Sequence, residues 1–293
     1  ILSGLVGSEM CIRDSFDATG DRREYLAEWL VSPQNALFAR AITNRVWKNY
    51  FGVGLVEQVD DMRASNPASN ERLLAAAAEH LVQNHYSLKA LMRTILQSET
   101  WQRSSEPLPE NSGDQRQYSR CFPRRMLAEV MLDAVSQVTD VPTEFKNIVY
   151  SGSDIKPTDA YPRGTRAIQL QDSAVQSWFL QTFGRNQRRI TCECERSDEP
   201  SMVQALHLSN GDTLNGKLSA PENRLSKWLA ANMTNEEIIS EIYLSCLARQ
   251  PSAAEQAGLL AELQRASTPE ERRATLEDVL WAVLSSREFL FNH

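Results

Sequence analysis

Two adjacent carboxylates, Asp60 and Asp61, close the stretch "NYFGVGLVEQVDD" (49–61), and Asn44, Arg45 and Trp47 stand a few turns earlier. Paired carboxylates can divide acid and base work on a glycosidic bond. They can also share a calcium ion with backbone carbonyls. The plainer duty is an ion pair, in which Arg45 holds Asp60 or Asp61 and fixes the loop against the helix that carries Asn44. Neighbouring side chains on an extended segment point to opposite sides, so one of the two carboxylates faces water.

Three further groups carry chemistry. Arg124 and Arg125 precede Glu129 and Asp133. The i, i+4, i+8 spacing of Arg125, Glu129 and Asp133 predicts one face of one helix, either as a solvated salt-bridge row or as a fork of guanidinium donors for a sulfate or carboxylate. "CECERSDEP" (192–200) packs Cys192, Glu193, Cys194, Glu195 and Arg196 behind the basic Arg185, Arg188 and Arg189. Glu195 is the third catalytic candidate beside Asp60 and Asp61. Arg196 joins Asn44, Arg45, Arg124, Arg125, Arg163 and His207 as substrate-binding candidates. The bland duty for Glu195 and Arg196 is to tie neighbouring helices together. His207, in "QALHLSNGD", sits in a short apolar helix, where a core histidine is the expectation ahead of a catalytic one. Asn210-Gly211 reads as the stop of that helix. Trp178 beside Phe179 suits core packing or a sugar-stacking surface.

Several classes are excluded. The net charge of −7 argues against a general nucleic-acid binder. No apolar run reaches the length of a membrane span. Cys192 and Cys194 are one residue apart, a poor zinc spacing with no second ligand pair beside it, so no metal site is expected. Nucleophile elbow, phosphate loop, dinucleotide fingerprint, H-E-x-x-H and C-x-x-C-H motifs are all missing from the sequence.

The elements that must position these residues are helical. A helix opening at Ser32-Pro33 is predicted to bury Leu37, Phe38, Ala41, Ile42, Val46 and Tyr50 and to stop at Gly52 and Gly54. Asn70 caps a second helix, with Leu73, Leu74, Ala78, Leu81 and Val82. Ser87 opens a third with Leu88, Leu91, Met92, Ile95 and Leu96. Residues 102–120 read as a long polar loop. Pro123 is taken to start a strong helix carrying Met126, Leu127, Val130, Met131, Ala134 and Val135. Residues 139–172, rich in Pro and Gly, read as an irregular excursion with a short strand at Ala167–Leu170. Thr234 with Glu237, Ser252 with Glu255 and Thr268 with Glu271 are capping-box starts of three later helices. The fold class is mainly α: an irregular multi-helix assembly with long loops and at most a short strand or two.

The first residues stand apart. "LVGSEMCIRDS" (5–15) has no helical period and no alternation, and it matches one reading frame of a transposon-type sequencing adapter without a break. Residues 1–15 are therefore expected to be a scar. Behind it lie an N-terminal helical part, 16–105, and a C-terminal helical part, 106–293, expected to form one contiguous domain.

Several segments together resemble one family, the planctomycete-type secreted domain of unknown function found C-terminally in large proteins. They are "NALFARAITNRVWKNYFGVGLVEQVDDM" (35–62), "HYSLKALMRTILQSETWQRSS" (85–105), "FPRRMLAEVMLDAV" (122–135), "YPRGTRAIQL" (161–170), the run 179–215 and "LWAVLSSREFLFNH" (280–293). The sequence departs from the family at His85-Tyr86, where Gly-Trp is common before "SLK". The resemblance implies export to the periplasm or cell surface, missing upstream domains as partners, and the company of polysaccharide-processing enzymes. Haem is expected only in an upstream cytochrome domain, not in these residues. The resemblance supplies no reaction. Two functions stay open: a non-catalytic module that packs on a missing neighbour and associates with polysaccharide, and part of an enzyme acting on sulfated polysaccharide through a carboxylate and arginine site.

Overall fold

The computed structural model describes residues 21–32, 35–59, 61–150, 152–171, 173–186 and 201–292. The protein is mainly α, with two small two-stranded sheets among the described residues. It divides into two compact units, one ending at Cys121 and one beginning at Phe122.

In the first unit, α1 (Arg22–Leu30) buries none of its residues. With no apolar stripe, this helix leaves no periodic signal in the sequence. The core comes from α2 (Ala36–Phe51), α3 (Glu71–Gln83) and α4 (Leu88–Leu96). Asn35, rather than Ser32-Pro33, caps α2, its Oδ1 accepting from Phe38 N at 3.3 Å. The buried stripe is correspondingly shifted. Ala39, Thr43, Asn44, Val46, Trp47 and Phe51 face inward, whereas Leu37 is exposed. Asn70 and Ser87 cap α3 and α4 as their sequence predicts. Leu74, Ala78 and Leu81 of α3 and Leu91 and Ile95 of α4 complete the helical core. Each buried Leu or Ile among them contributes about 1.5–3 kcal/mol. Trp47 stacks on Phe51 at 4.2 Å between ring centroids, and Tyr118 meets both rings edge-on. The Tyr118 hydroxyl, which donates to Val53 O at 3.0 Å, pins the long loop 97–121 onto the turn after α2.

The second unit is organised around α5 (Ala128–Thr139), whose Ala128, Met131, Leu132, Val135 and Val138 are buried. This helix begins five residues later than the Pro123 start predicted from sequence. Residues Arg124–Arg125 instead form β1, antiparallel to β4 (Phe291–Asn292), with Arg125 opposite Phe291. Strand β2 (Asn147–Ile148) pairs with β3 (Lys156–Pro157). The strand expected at 167–170 is a 3-10 turn, Ala167–Gln169, which packs on α5. Next come α6 (Trp178–Thr182), α7 (Met202–Asn210), α8 (Asp212–Leu218) and α9 (Arg224–Ala230). The last group is α10 (Asn235–Leu247), α11 (Ala253–Leu263), α12 (Pro269–Leu284) and α13 (Arg287–Leu290). All three predicted capping boxes are present, at Thr234/Glu237, Ser252/Glu255 and Thr268/Glu271. Arg249, at the end of α10, grips Glu288 at 2.6 Å and Glu255 at 2.9 Å and lies over the Tyr243 ring, tying α10, α11 and α13 together.

Candidate functional site

In the first unit Asn44 is fully buried in mid-α2. Its Nδ2 donates to Val56 O at 2.9 Å and its Oδ1 accepts from Val56 N at 3.0 Å. One side-chain amide thus pairs with both backbone groups of one loop residue, as a strand neighbour would. Gly54 lets the loop come this close, because a Cβ there would collide with Val56 O and lie 3.0 Å from Asn44 Oδ1. Asn44 therefore shapes the 52–59 turn, and its amide is committed to the backbone rather than to a substrate.

Asp61 sits just past that turn. Arg63, two residues on, donates Nε to Asp61 Oδ1 at 2.7 Å and Nη2 to Oδ2 at 2.6 Å. Sequence has Arg45 holding Asp60 or Asp61; for Asp61 the partner is Arg63, through a fork local to the loop. These hydrogen bonds hold the Asp61 carboxyl down at about 2, far below the range of a general acid at neutral pH. Asp60, the other member of the predicted pair, lies outside the described residues. So do Glu195 and Arg196.

Asp114, which belongs to no motif legible in the sequence, organises the long loop. Its carboxylate accepts from Ser119 Oγ, Gln117 N, Ser119 N and Arg116 N at 2.5–2.9 Å. Burial works to raise its pKa, but the four donors together pull it well below the usual carboxylate range. The open recess beside it is lined by loop residues such as Asn111, Arg116 and Gln117.

In the second unit the row expected along one helix face, Arg125, Glu129 and Asp133, is split, each side chain meeting its own partners. Arg125 lies in β1, outside the helix. It donates to Gln204 Oε1 and, at 3.4 Å, to Phe183 O, with its guanidinium 5.8 Å from the centre of the Phe183 ring. Glu129 faces Arg185 at 3.9 Å, both side chains nearly buried. Asp133 accepts from Ala167 N at 2.6 Å and Ile168 N at 3.2 Å, capping the 3-10 turn. A polar seam thus runs from Arg125 in β1 to Asp133 in α5 and anchors the end of α6, α7 and the 3-10 turn at 167–169.

His207 belongs to the same region. Its ring meets Phe179 and Phe183 edge-on at 5.5 and 6.0 Å, and Nε2 lies 3.3 Å from Thr213 Oγ1. Burial lowers its pKa, with Asp212 partly opposing. The structure therefore gathers Arg125 and His207 around Phe183. Arg163 is exposed on the excursion, where its charge adds to that of Lys146, the main partner holding the Glu144 carboxyl down. Gln204, the hub between Arg125 and the carbonyl of Thr182, is not among the residues singled out from sequence; its capping-box position after Ser201 is the available signal.

Lys217 is likewise not singled out by sequence. It is only 6% exposed and donates to Val141 O at 2.5 Å, and burial brings its ammonium pKa down to about 8. The signal is its i+3 spacing from Leu214 on a buried face. Together with Arg224, which donates to Gln137 O, and Lys227, which pairs with Asp140, it surrounds the C-terminal end of α5 with positive charge. Cys121 and Cys246 are free thiols, and burial pushes Cys246 up to about 12. Among the described residues no three His, Cys, Asp or Glu side chains gather as metal ligands, and no helix is long and apolar enough to cross a membrane.

A family model described as "Protein of unknown function (DUF1553)" matches residues 22–263. The chain belongs to that family. No curated protein and no solved structure matches it. For this DUF1553 protein the functional reading therefore rests on the geometry of its own side chains.

Proposed function

We propose that this DUF1553 protein is a non-catalytic helical module of an exported multidomain protein, packing on an accompanying domain and associating with polysaccharide. The observation that supports it most is how the polar candidates use their bonding capacity. Asn44 is paired with Val56, Asp61 with Arg63, and Arg125 with Gln204 and Phe183 O. Each bond holds the protein's own backbone or a neighbouring element, and the one described carboxylate of the catalytic trio is ionised and ion-paired.

The apolar groups point the other way. Trp178, at the first turn of α6, is 65% exposed, and Met202, Val203 and Leu206 stand exposed on α7. Large exposed apolar groups mark surfaces that other molecules cover. An exposed indole suits the apolar face of a sugar ring, with the exposed amides of Gln176 and Gln181 beside it in sequence to meet hydroxyls.

The test uses the purified protein with a panel of neutral and sulfated polysaccharides. Tryptophan fluorescence reads binding, and assays for new reducing or unsaturated ends read turnover. The expected result is binding that weakens in Trp178→Ala, with no new ends. New ends that disappear in Asp61→Asn would overturn the reading in favour of a carboxylate enzyme.

A further inference from the structure

We infer that Asn210-Gly211 is a built-in site of spontaneous deamidation, at which the junction between α7 and α8 converts to an acidic and partly isomerised backbone as the protein ages. The inference is independent of the proposed function.

The chemistry needs an asparagine whose carboxamide is free to turn and a following residue with no side chain. The sequence has two Asn-Gly pairs, Asn210-Gly211 and Asn215-Gly216. Asn210 is the last residue of α7 and is exposed, and its carboxamide makes no hydrogen bond among the described residues. Many other asparagines are engaged. Asn35, Asn70 and Asn223 cap helices, Asn44 clamps Val56, and Asn84 bonds the His80 carbonyl. Asn215 lies inside α8. Its carboxamide reaches Ser209 O at 3.5 Å, and its carbonyl accepts from both Ser219 N and Ser219 Oγ. That helix resists the backbone rotation that ring closure requires.

Packing fixes the glycine at 211. A Cβ there would collide with the His207 carbonyl oxygen and lie 3.0 Å from two atoms of the His207 ring. The seat of His207 therefore demands the one residue that leaves the Asn210 carboxamide open to attack. In the reaction the Gly211 backbone nitrogen attacks Asn210 Cγ. A new C–N bond forms, the C–N bond of the carboxamide breaks, and ammonia leaves. Water then opens the five-membered imide at either carbonyl, giving aspartate or isoaspartate. No oxidant or reductant takes part.

Both products disturb the junction. A carboxylate at 210 adds a negative charge at the junction, two residues before Asp212. The isoaspartate also adds a methylene to the main chain beside Gly211, whose N–H donates to His207 O at 2.8 Å.

The experiment incubates the whole protein in mildly alkaline buffer at elevated temperature and follows each Asn-containing peptide by mass spectrometry. The expected result is conversion at Asn210 several-fold faster than at Asn215, with that fastest phase absent from Asn210→Gln. Conversion at Asn215 as fast as at Asn210, or an Asn210 as inert as Asn44, would overturn the inference.

Discussion

Asn44 and Val56 are joined by two hydrogen bonds, side-chain amide to backbone N–H and C=O, deep in the first unit. Water has no access to either partner, because Asn44 is fully buried and Val56 almost so. The pairing decides where the backbone turns after α2.

Asn44→Ala removes both bonds and leaves the Val56 N–H and C=O buried without partners. The expected loss is about 2–4 kcal/mol of unfolding free energy. Asn44→Asp is expected to cost more than loss of the donor alone, since it also adds a buried charge. Denaturant unfolding measures both, and an alanine cost near zero would show that the loop folds without the clamp.

His85 offers the opposite sign. The end of α3 closes with Tyr86 N donating to Leu81 O at 2.9 Å and His85 N to Val82 O at 3.0 Å, the bond pair of a Schellman stop. That stop places His85 at φ 51, in the left-handed region that glycine occupies without a Cβ penalty. His85→Gly is expected to stabilise the fold by about 0.5–1 kcal/mol, the relief of strain exceeding the added unfolded-state entropy. A lower melting temperature for the glycine variant would refute this account of the turn.

The contrast between these sites explains what is legible in the sequence. Capping boxes such as Thr234/Glu237 are complete within four residues, so their pattern is local and the structure bears it out. The apolar spacing of α4 is likewise enough, because Leu91 and Ile95 lie on one face of a short helix. Arg124–Arg125 does not read as a strand, because its partner is Phe291–Asn292 at the far end of the protein. The 3-10 turn at 167–169 depends in the same way on Asp133, more than 30 residues away. Among the candidate site residues, Asn44 and Arg125 are recognisable as unusual by type and place, but their partners, Val56 and Gln204, carry no chemical signal of their own. Lys217 is hidden because a lysine beside Asn215-Gly216 resembles a solvated turn.

Asp133 tests that long-range cap. Asp133→Ala leaves the N–H groups of Ala167 and Ile168 without their acceptor, at an expected cost of about 1–2 kcal/mol. Hydrogen exchange at those two amides should accelerate far more than exchange in the α12 core. Equal acceleration everywhere would mean that Asp133 supports the whole unit and has no specific hold on the excursion.

Lys217 gives the pH dependence. Its folded pKa, about 8, lies below the ordinary 10.5, and burial is the cause. Between those values the unfolded protein holds more protons at this site than the folded one, so this group makes stability rise with pH across the window from 8 to 10.5. Below pH 8 the buried ammonium is charged in both states, and its desolvation cost is present in full. Lys217→Met keeps most of the volume and removes the titration. The difference in unfolding free energy between wild type and Lys217→Met is therefore expected to shift in favour of wild type as pH rises through the window, whatever other groups titrate in both proteins. A difference that stays constant over that range would show that Lys217 keeps its ordinary proton affinity at the end of α5.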